Sequence, residues 1–159
     1  MPPPERGQAV WRITSSRYAR RAFDGEGARL YGGRWNHPGV AIVYCSATLS
    51  LAALEYFVHL QPDLASNLVS VAAELPRDLS QESLRIEDLP ASWRSYPAPE
   101  RLKELGTAWA RANRTAVLLV PSAVIPHEQN VLINPGHSDF PRIRPRKAQP
   151  FSFDPRMWK

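Results

Sequence analysis

Cysteine occurs once in this 159-residue chain, at Cys45, so no intramolecular disulfide can staple the fold and a reducing, cytoplasmic setting is the expectation. No apolar run approaches the roughly 20 residues that a membrane span needs. The opening MPPPERGQ lacks the charged and then apolar layout of a secretory leader. Histidines are few, and His37, His59, His127 and His137 show no close paired spacing, so no metal site is expected. There is no Walker loop, no GxGxxG and no G-x-S-x-G elbow. Lysine is scarce too: 17 of the 20 basic residues are arginine, in a chain of net charge +5. Arginine carries a planar fork of donors that matches phosphates and carboxylates, whereas lysine is closer to a point charge. The balance therefore points to a phosphate-bearing or acidic partner, whether nucleic acid, nucleotide or protein.

What is present suits one domain, residues 1–159, long enough to bury roughly two-thirds of its unfolded surface. Sixteen prolines argue for many loops and edges and against a helical bundle. Residues 8–14 (QAVWRIT) read as a first strand. The arginine- and glycine-rich stretch that follows, up to Gly33, has no sustained period and reads as a long loop. Ala41–Ser46 is β-prone, with Ile42 and Tyr44 on one face and Val43 and Cys45 on the other. Ser46 or Thr48 can cap the next helix, LSLAALEYFVHLQ, whose expected core stripe is Leu51, Leu54 and Val58 and whose expected stop is Pro62.

Residues 67–75 read as another strand, and 76–98 as a polar, proline-rich stretch anchored by Trp93 and Tyr96. Pro99 suits the first turn of a helix that puts Leu102, Leu105 and Trp109 on one face. Ala116–Val120 and Val131–Ile133 read as strands, the next loop ends in an edge strand, and the tail QPFSFDPRMWK is apolar enough to dock. About six short strands with two or three helices, without strict alternation, give an α+β fold with a mostly antiparallel sheet.

Several residues could carry chemistry, and each has an ordinary alternative. Two glycines before Arg34 let the backbone approach a ligand, and Arg34 could grip a phosphate; the ordinary reading is a turn with a surface arginine. Tyr44 offers a flat face for a base, or is a half-buried strand tyrosine. Glu55 is the only acid between Glu26 and Asp63 and lies in an apolar helix. If buried it needs a hydrogen-bond or cationic partner, Arg34 being a candidate, and a carboxylate there could stabilise an oxocarbenium-like transition state. Ser122, with Asn130 and Asn134 flanking a short strand, and His137 and Asp139 beyond, forms a third cluster or simply caps and turns.

Together these blocks resemble a known family. GGRWNHPG, VYCS, LAALEYFVHL, VPSAVIPHEQNVLINPGHSDF and PFSFDPR, in that order, resemble the RES domain, the toxin half of bacterial toxin–antitoxin pairs, from about residue 11 to residue 156. The resemblance implies a fold similar to ADP-ribosyltransferases, with a central, mostly antiparallel sheet and flanking helices. It also implies an enzyme that uses cytoplasmic NAD as substrate and needs no metal. Such toxins deplete NAD by hydrolysis or phosphorolysis of the nicotinamide–ribose bond, and some relatives ADP-ribosylate a protein. The family's arginine, tyrosine and glutamate fall on Arg34, Tyr44 and Glu55 as catalytic residues. Its serine falls on Ser122, with Asn134 as a neighbour and Tyr31 as a further aromatic at the NAD site. The implied partner is an Xre-type antitoxin that covers the active site in an oligomeric complex. One departure is Ser138, where family members often have proline in NPxHPDF. The alternative class is a basic nucleic-acid-binding module using Arg17, Arg20, Arg21 and the Arg142–Lys147 cluster, which could equally meet an acidic antitoxin segment.

Overall fold

Alternating apolar residues in short runs build one eight-stranded sheet in the computed structural model, which describes residues 7–60 and 65–158. The strands are β1 (Gln8–Ser15), β2 (Val43–Ser46), β3 (Leu68–Leu75), β4 (Gln81–Ser83), β5 (Val117–Pro121), β6 (Gln129–Ile133), β7 (Arg144–Pro145) and β8 (Gln149–Phe151). Their order is β4-β5-β6-β2-β1-β3-β7, and β8 also pairs with β3. Every pairing is antiparallel except β4 with β5. That parallel pair is joined through helix α3 (Glu100–Ala112), because parallel neighbours need a crossover. The remaining helices are α1 (Glu26–Tyr31) and α2 (Leu49–Phe57). The expected α+β class with a mostly antiparallel sheet is what the structure has.

Side-chain alternation divides the core between the two faces of the sheet. Val43, Cys45, Val117, Val131 and Ile133 join one cluster with Val10, Val71 and Phe23. Ile42, Tyr44, Leu118, Val120 and Leu132 join the other, against Trp35, Trp93 and the α3 residues Leu102 and Trp109. The face assignment of Ile42 and Tyr44 against Val43 and Cys45 thus holds, as the period of two requires. Helix α2 packs beside the second cluster, on Trp11 and Ile13 of β1. Between β1 and β2 only Trp11 and Ser46 are in register, whereas β1 pairs with β3 over its whole length. The sheet therefore has a seam at β1–β2, bridged also by Arg12 Nη1, which donates to the Tyr44 carbonyl at 2.9 Å.

Several expectations need correction. The stretch after β1 is no structureless loop: a 3-10 turn (Ser16–Arg21) and α1 occupy most of it. The sheet has eight strands where about six were expected: the expected edge strand is present as β7, while β4 and β8, of three residues each, are too short to show a period. Helix α2 buries Leu51 and Ala52, while Val58 lies just past its end and is 54% exposed. The helix is apolar on nearly every side, so its pattern could not say which side faces inward. The helix ends at Phe57 with Val58 as its C-cap, short of the expected stop at Pro62, which itself lies outside the described residues. Trp93 is buried as expected, but Tyr96 is 80% exposed and anchors no core. Thr48, not Ser46, caps α2, accepting from Leu51 N–H at 3.1 Å. The tail docks: β8 pairs with β3, and Phe57 meets Phe153 and Trp158 at 5.6 and 5.2 Å between ring centres. Among the described residues no helix is long and apolar enough to cross a membrane.

Two consequences are measurable. Helix α3 comes so close to the turn before β2 that a Cβ on Gly106 would lie 1.8 Å from the Trp35 carbonyl oxygen. Gly106→Ala should therefore cost about 1–3 kcal/mol despite the better helix propensity of alanine, read as a lower thermal midpoint. Burial pushes the Cys45 thiol from 9.0 up to about 12, against a weaker opposing pull from Arg12. Between those values the folded chain keeps a proton that the unfolded chain has lost, so the thiol's contribution to stability is full below about pH 9 and declines above it. Denaturant titrations of Cys45→Ala should show a shallower fall in stability from about pH 9 to 12 than the parent shows.

Candidate active site

Glu55 projects from the last full turn of α2, one turn after the buried Leu51, and is half-buried against the ends of two strands. Its Oε1 accepts two hydrogen bonds of 2.7 Å, from Ser122 Oγ just after β5 and from Asn130 Nδ2 on β6. Asn130 in turn accepts from Ser46 Oγ at 2.7 Å, which links β2 to the same carboxylate. Ser122 is fully buried, and its Oγ also accepts the backbone N–H groups of Val124 and Ile125, at 3.1 and 3.0 Å. Ser122 Oγ, Asn130 Nδ2 and Ser46 Oγ therefore each have a partner, as burial demands. Among the described residues no group bonds Oε2, which leaves that oxygen as an acceptor.

Arg34 sits in the turn between α1 and β2. Its Nη1 donates to the carbonyls of Trp93 and Ser95, at 3.0 Å each, and leaves the Nε and Nη2 donors without partners among the described residues. Burial draws its guanidinium below the ordinary value, while the nearby Glu55 carboxylate pushes back. An arginine remains cationic through such a shift, so Glu55 and Arg34 place opposite charges in one half-buried neighbourhood.

Tyr44 fixes the turn that carries Arg34. Its hydroxyl donates to Asn36 Oδ1 at 2.5 Å and accepts the Trp35 N–H at 3.0 Å. Asn36, wholly buried, donates from Nδ2 to the carbonyls of Ala28 and His37, each at 2.9 Å. The Tyr44 ring packs into the cluster of Trp35 and Leu132, and burial raises its hydroxyl pKa, so the group stays a neutral donor. A Cβ on Gly33 would lie 2.7 Å from that hydroxyl. The glycine thus permits a close approach to Tyr44.

The structure brings together Arg34, Tyr44, Glu55 and Ser122 and leaves two other candidates apart. Asn134 lies at the opposite end of β6 from Asn130, and its amide is consumed by Ala110 O, Asn113 Oδ1 and Gly136 N–H. Asn130, and not Asn134, is the asparagine at the carboxylate, because the strand carries the two to opposite edges. Tyr31 closes α1 and is 83% exposed. Asn36 and Ser46 carry the network without having been singled out in the sequence. Asn36 stands within GGRWNHPG, but nothing local marks it as buried. The histidines have separate places: His37 Nε2 meets Glu100 at 2.9 Å, and His137 Nδ1 accepts the Asp139 N–H at 3.0 Å. A groove of about 510 Å³ on the other side of the sheet is lined by Phe23, Val71, Phe140 and Lys147 among others, and by none of the residues around Glu55.

Ser122→Ala removes one of the two bonds to Glu55 and strips the Val124 and Ile125 N–H groups of their acceptor. The variant should lose about 1–3 kcal/mol of stability, measured by denaturant unfolding, because buried donors are left unpaired.

Known proteins resemble this chain over nearly its whole length. A family model described as the RES domain matches residues 9–154. The Prs ADP-ribosylating toxin of Sphingobium sp. (strain YBL2) is 43% identical over 154 residues, covering 94% of this chain and 96% of that one. Toxin Res of Yersinia enterocolitica is 39% identical over 150 residues, covering 93% of this chain and 98% of that one. A chain of the M. tuberculosis MbcT–MbcA toxin–antitoxin complex superposes with a TM-score of 0.76 at 17% identity, covering 95% of this chain and 86% of its own, and so shares the fold. On the match across nearly its whole length and the two close relatives, this chain belongs to the RES domain family.

Proposed function

We propose that this chain is the toxin of a toxin–antitoxin pair and that it breaks the nicotinamide–ribose bond of NAD. The observation that carries the reading is the Glu55 carboxylate, held at Oε1 by Ser122 and Asn130 with Oε2 open, beside a half-buried Arg34 whose Nε and Nη2 donors are also open. Nicotinamide in NAD is a pyridinium, so it leaves without a strong general acid. The C–N bond breaks with its electron pair going to the ring nitrogen, and positive charge develops on the ribose. A carboxylate fixed in advance stabilises that charge more in the transition state than in the ground state. Arg34 holds the pyrophosphate through its remaining fork. Tyr44 acts through Arg34, by holding the turn on which it rides, and Ser122 keeps Glu55 in register. An oxygen of water or of inorganic phosphate then bonds the anomeric carbon and gives up its proton.

A second reading differs only in the acceptor. The Sphingobium relative is named an ADP-ribosylating toxin, which favours transfer of ADP-ribose to a protein side chain in place of water. An antitoxin of the Xre type covering the site fits the same picture, since the structural neighbour comes from a toxin–antitoxin complex. NAD as substrate suits a cytoplasmic protein. The nucleic-acid alternative loses ground because Arg142 and Arg146 of the basic cluster already pair with Asp78 and Glu74.

Purified protein mixed with NAD should release nicotinamide. Glu55→Gln and Arg34→Ala should each lower kcat/KM by about 100-fold or more, the scale on which loss of one preorganised electrostatic group acts. Phosphate dependence separates phosphorolysis from hydrolysis, and label from adenine-labelled NAD left on protein identifies transfer. A folded sample that consumes no NAD with water, phosphate or cell protein as acceptor would falsify the proposal.

A further inference from the structure

The Tyr44 ring is partly buried against the core cluster and its hydroxyl is bonded to Asn36 and Trp35, so part of its surface is already covered. A different aromatic stands at the site. Tyr96 follows directly on Ser95, whose carbonyl holds Arg34 at 3.0 Å, and its hydroxyl is near enough to act on the Arg34 charge. It is 80% exposed although it belongs to a stretch otherwise pinned by Trp93, which is buried, and by Arg94, whose Nε donates to Ala123 O at 3.0 Å. The Tyr96 ring lies 6.0 Å from that of His59 between centres, tilted by 49°. His59 comes four residues after Glu55, just past the end of α2. The ring pair thus joins the segment carrying Arg34's carbonyl holders to the end of the helix carrying Glu55.

We propose that Tyr96, backed by His59, is the stacking surface for a heteroaromatic base of the dinucleotide at this site. The inference rests on the NAD reading above and goes beyond it by assigning the base to an exposed residue of the 93–96 segment. A large exposed ring has no reason to be ordered by hydrophobic burial, whereas a base bound at Arg34 and Glu55 would cover it. Base–aromatic stacking is worth about 1–3 kcal/mol per base, or roughly five- to 150-fold in affinity. Both bases of NAD are flat, so the chemistry is shared, and the experiment distinguishes which of them is bound.

The test is calorimetric titration of the wild-type chain and its Tyr96 variants with carba-NAD, whose nicotinamide bond is not cleaved. Tyr96→Ala should weaken binding about tenfold or more, and Tyr96→Phe, which keeps the ring, should stay within about twofold of the wild type. ADP-ribose and the carbocyclic analogue of nicotinamide mononucleotide each keep a phosphate for Arg34 but only one base. Loss for one half and not the other supports stacking and names the base. Equal loss for both halves means that the segment holding Arg34 has moved, and overturns the assignment. So does carba-NAD binding that Tyr96→Ala leaves unchanged. No carba-NAD binding and no nicotinamide release by the wild-type protein overturns the NAD reading itself, and this inference with it.

Discussion

The two hydrogen bonds that Glu55 Oε1 accepts organise more of this molecule than any other contact around it. They tie α2 to the ends of β5 and β6, and through Asn130 and Ser46 to β2. A carboxylate partly removed from water must be paired or pay a desolvation cost. Here the donors are neutral and come from the sheet, so the charge is satisfied on one oxygen while the other keeps its acceptor capacity. Ser122 can serve only because its own oxygen is fixed by the turn at 122–125, whose backbone donors it accepts. The site is therefore as rigid as the strand ends that supply it.

A second set of bonds does for the cation what the first does for the acid. Tyr44, Asn36 and the carbonyls of Trp93 and Ser95 fix the turn and the guanidinium of Arg34 from beneath and beside. The two sets meet at β2, where Tyr44 and Ser46 lie on the same face, two residues apart. That strand borders the β1–β2 seam, where the sheet has one residue pair in register. Helix α2 lies next to the seam, packed on Trp11 and Ile13 of β1.

Much of the fold was legible in the chain itself. The period of two in AIVYCS put Tyr44 and Val43 on opposite faces, and the structure has them in opposite core clusters. The apolar helix before residue 60 and the amphipathic one after Pro99 stand where their patterns place them. Strands β4 and β8 were not legible, since three residues carry no period. Nor was the inward side of α2, because Leu, Ala, Tyr and Phe surround Glu55 on every side. Tyr96 reads as a core anchor by composition and stands exposed, because hydrophobicity does not tell a buried ring from a binding one.

For the site, the sequence determined which residue types stand in which local frame: an arginine in a glycine turn, a tyrosine within a strand, one acid in an apolar helix, a serine after a strand. Those facts are local, fixed by neighbours within a few positions. Which of them meet was decided only by the tertiary structure. Glu55 finds Ser122 and Asn130 across 67 and 75 residues of chain, and Arg34 finds Trp93 and Ser95 across 59 and 61. Asn130 and Asn134 are nearly indistinguishable in sequence, one on each side of the same apolar run. The register of β6 carries one to the carboxylate and the other to the end of α3. Strand pairing is a long-range choice, made by burial summed over the whole sheet, and no local pattern contains it.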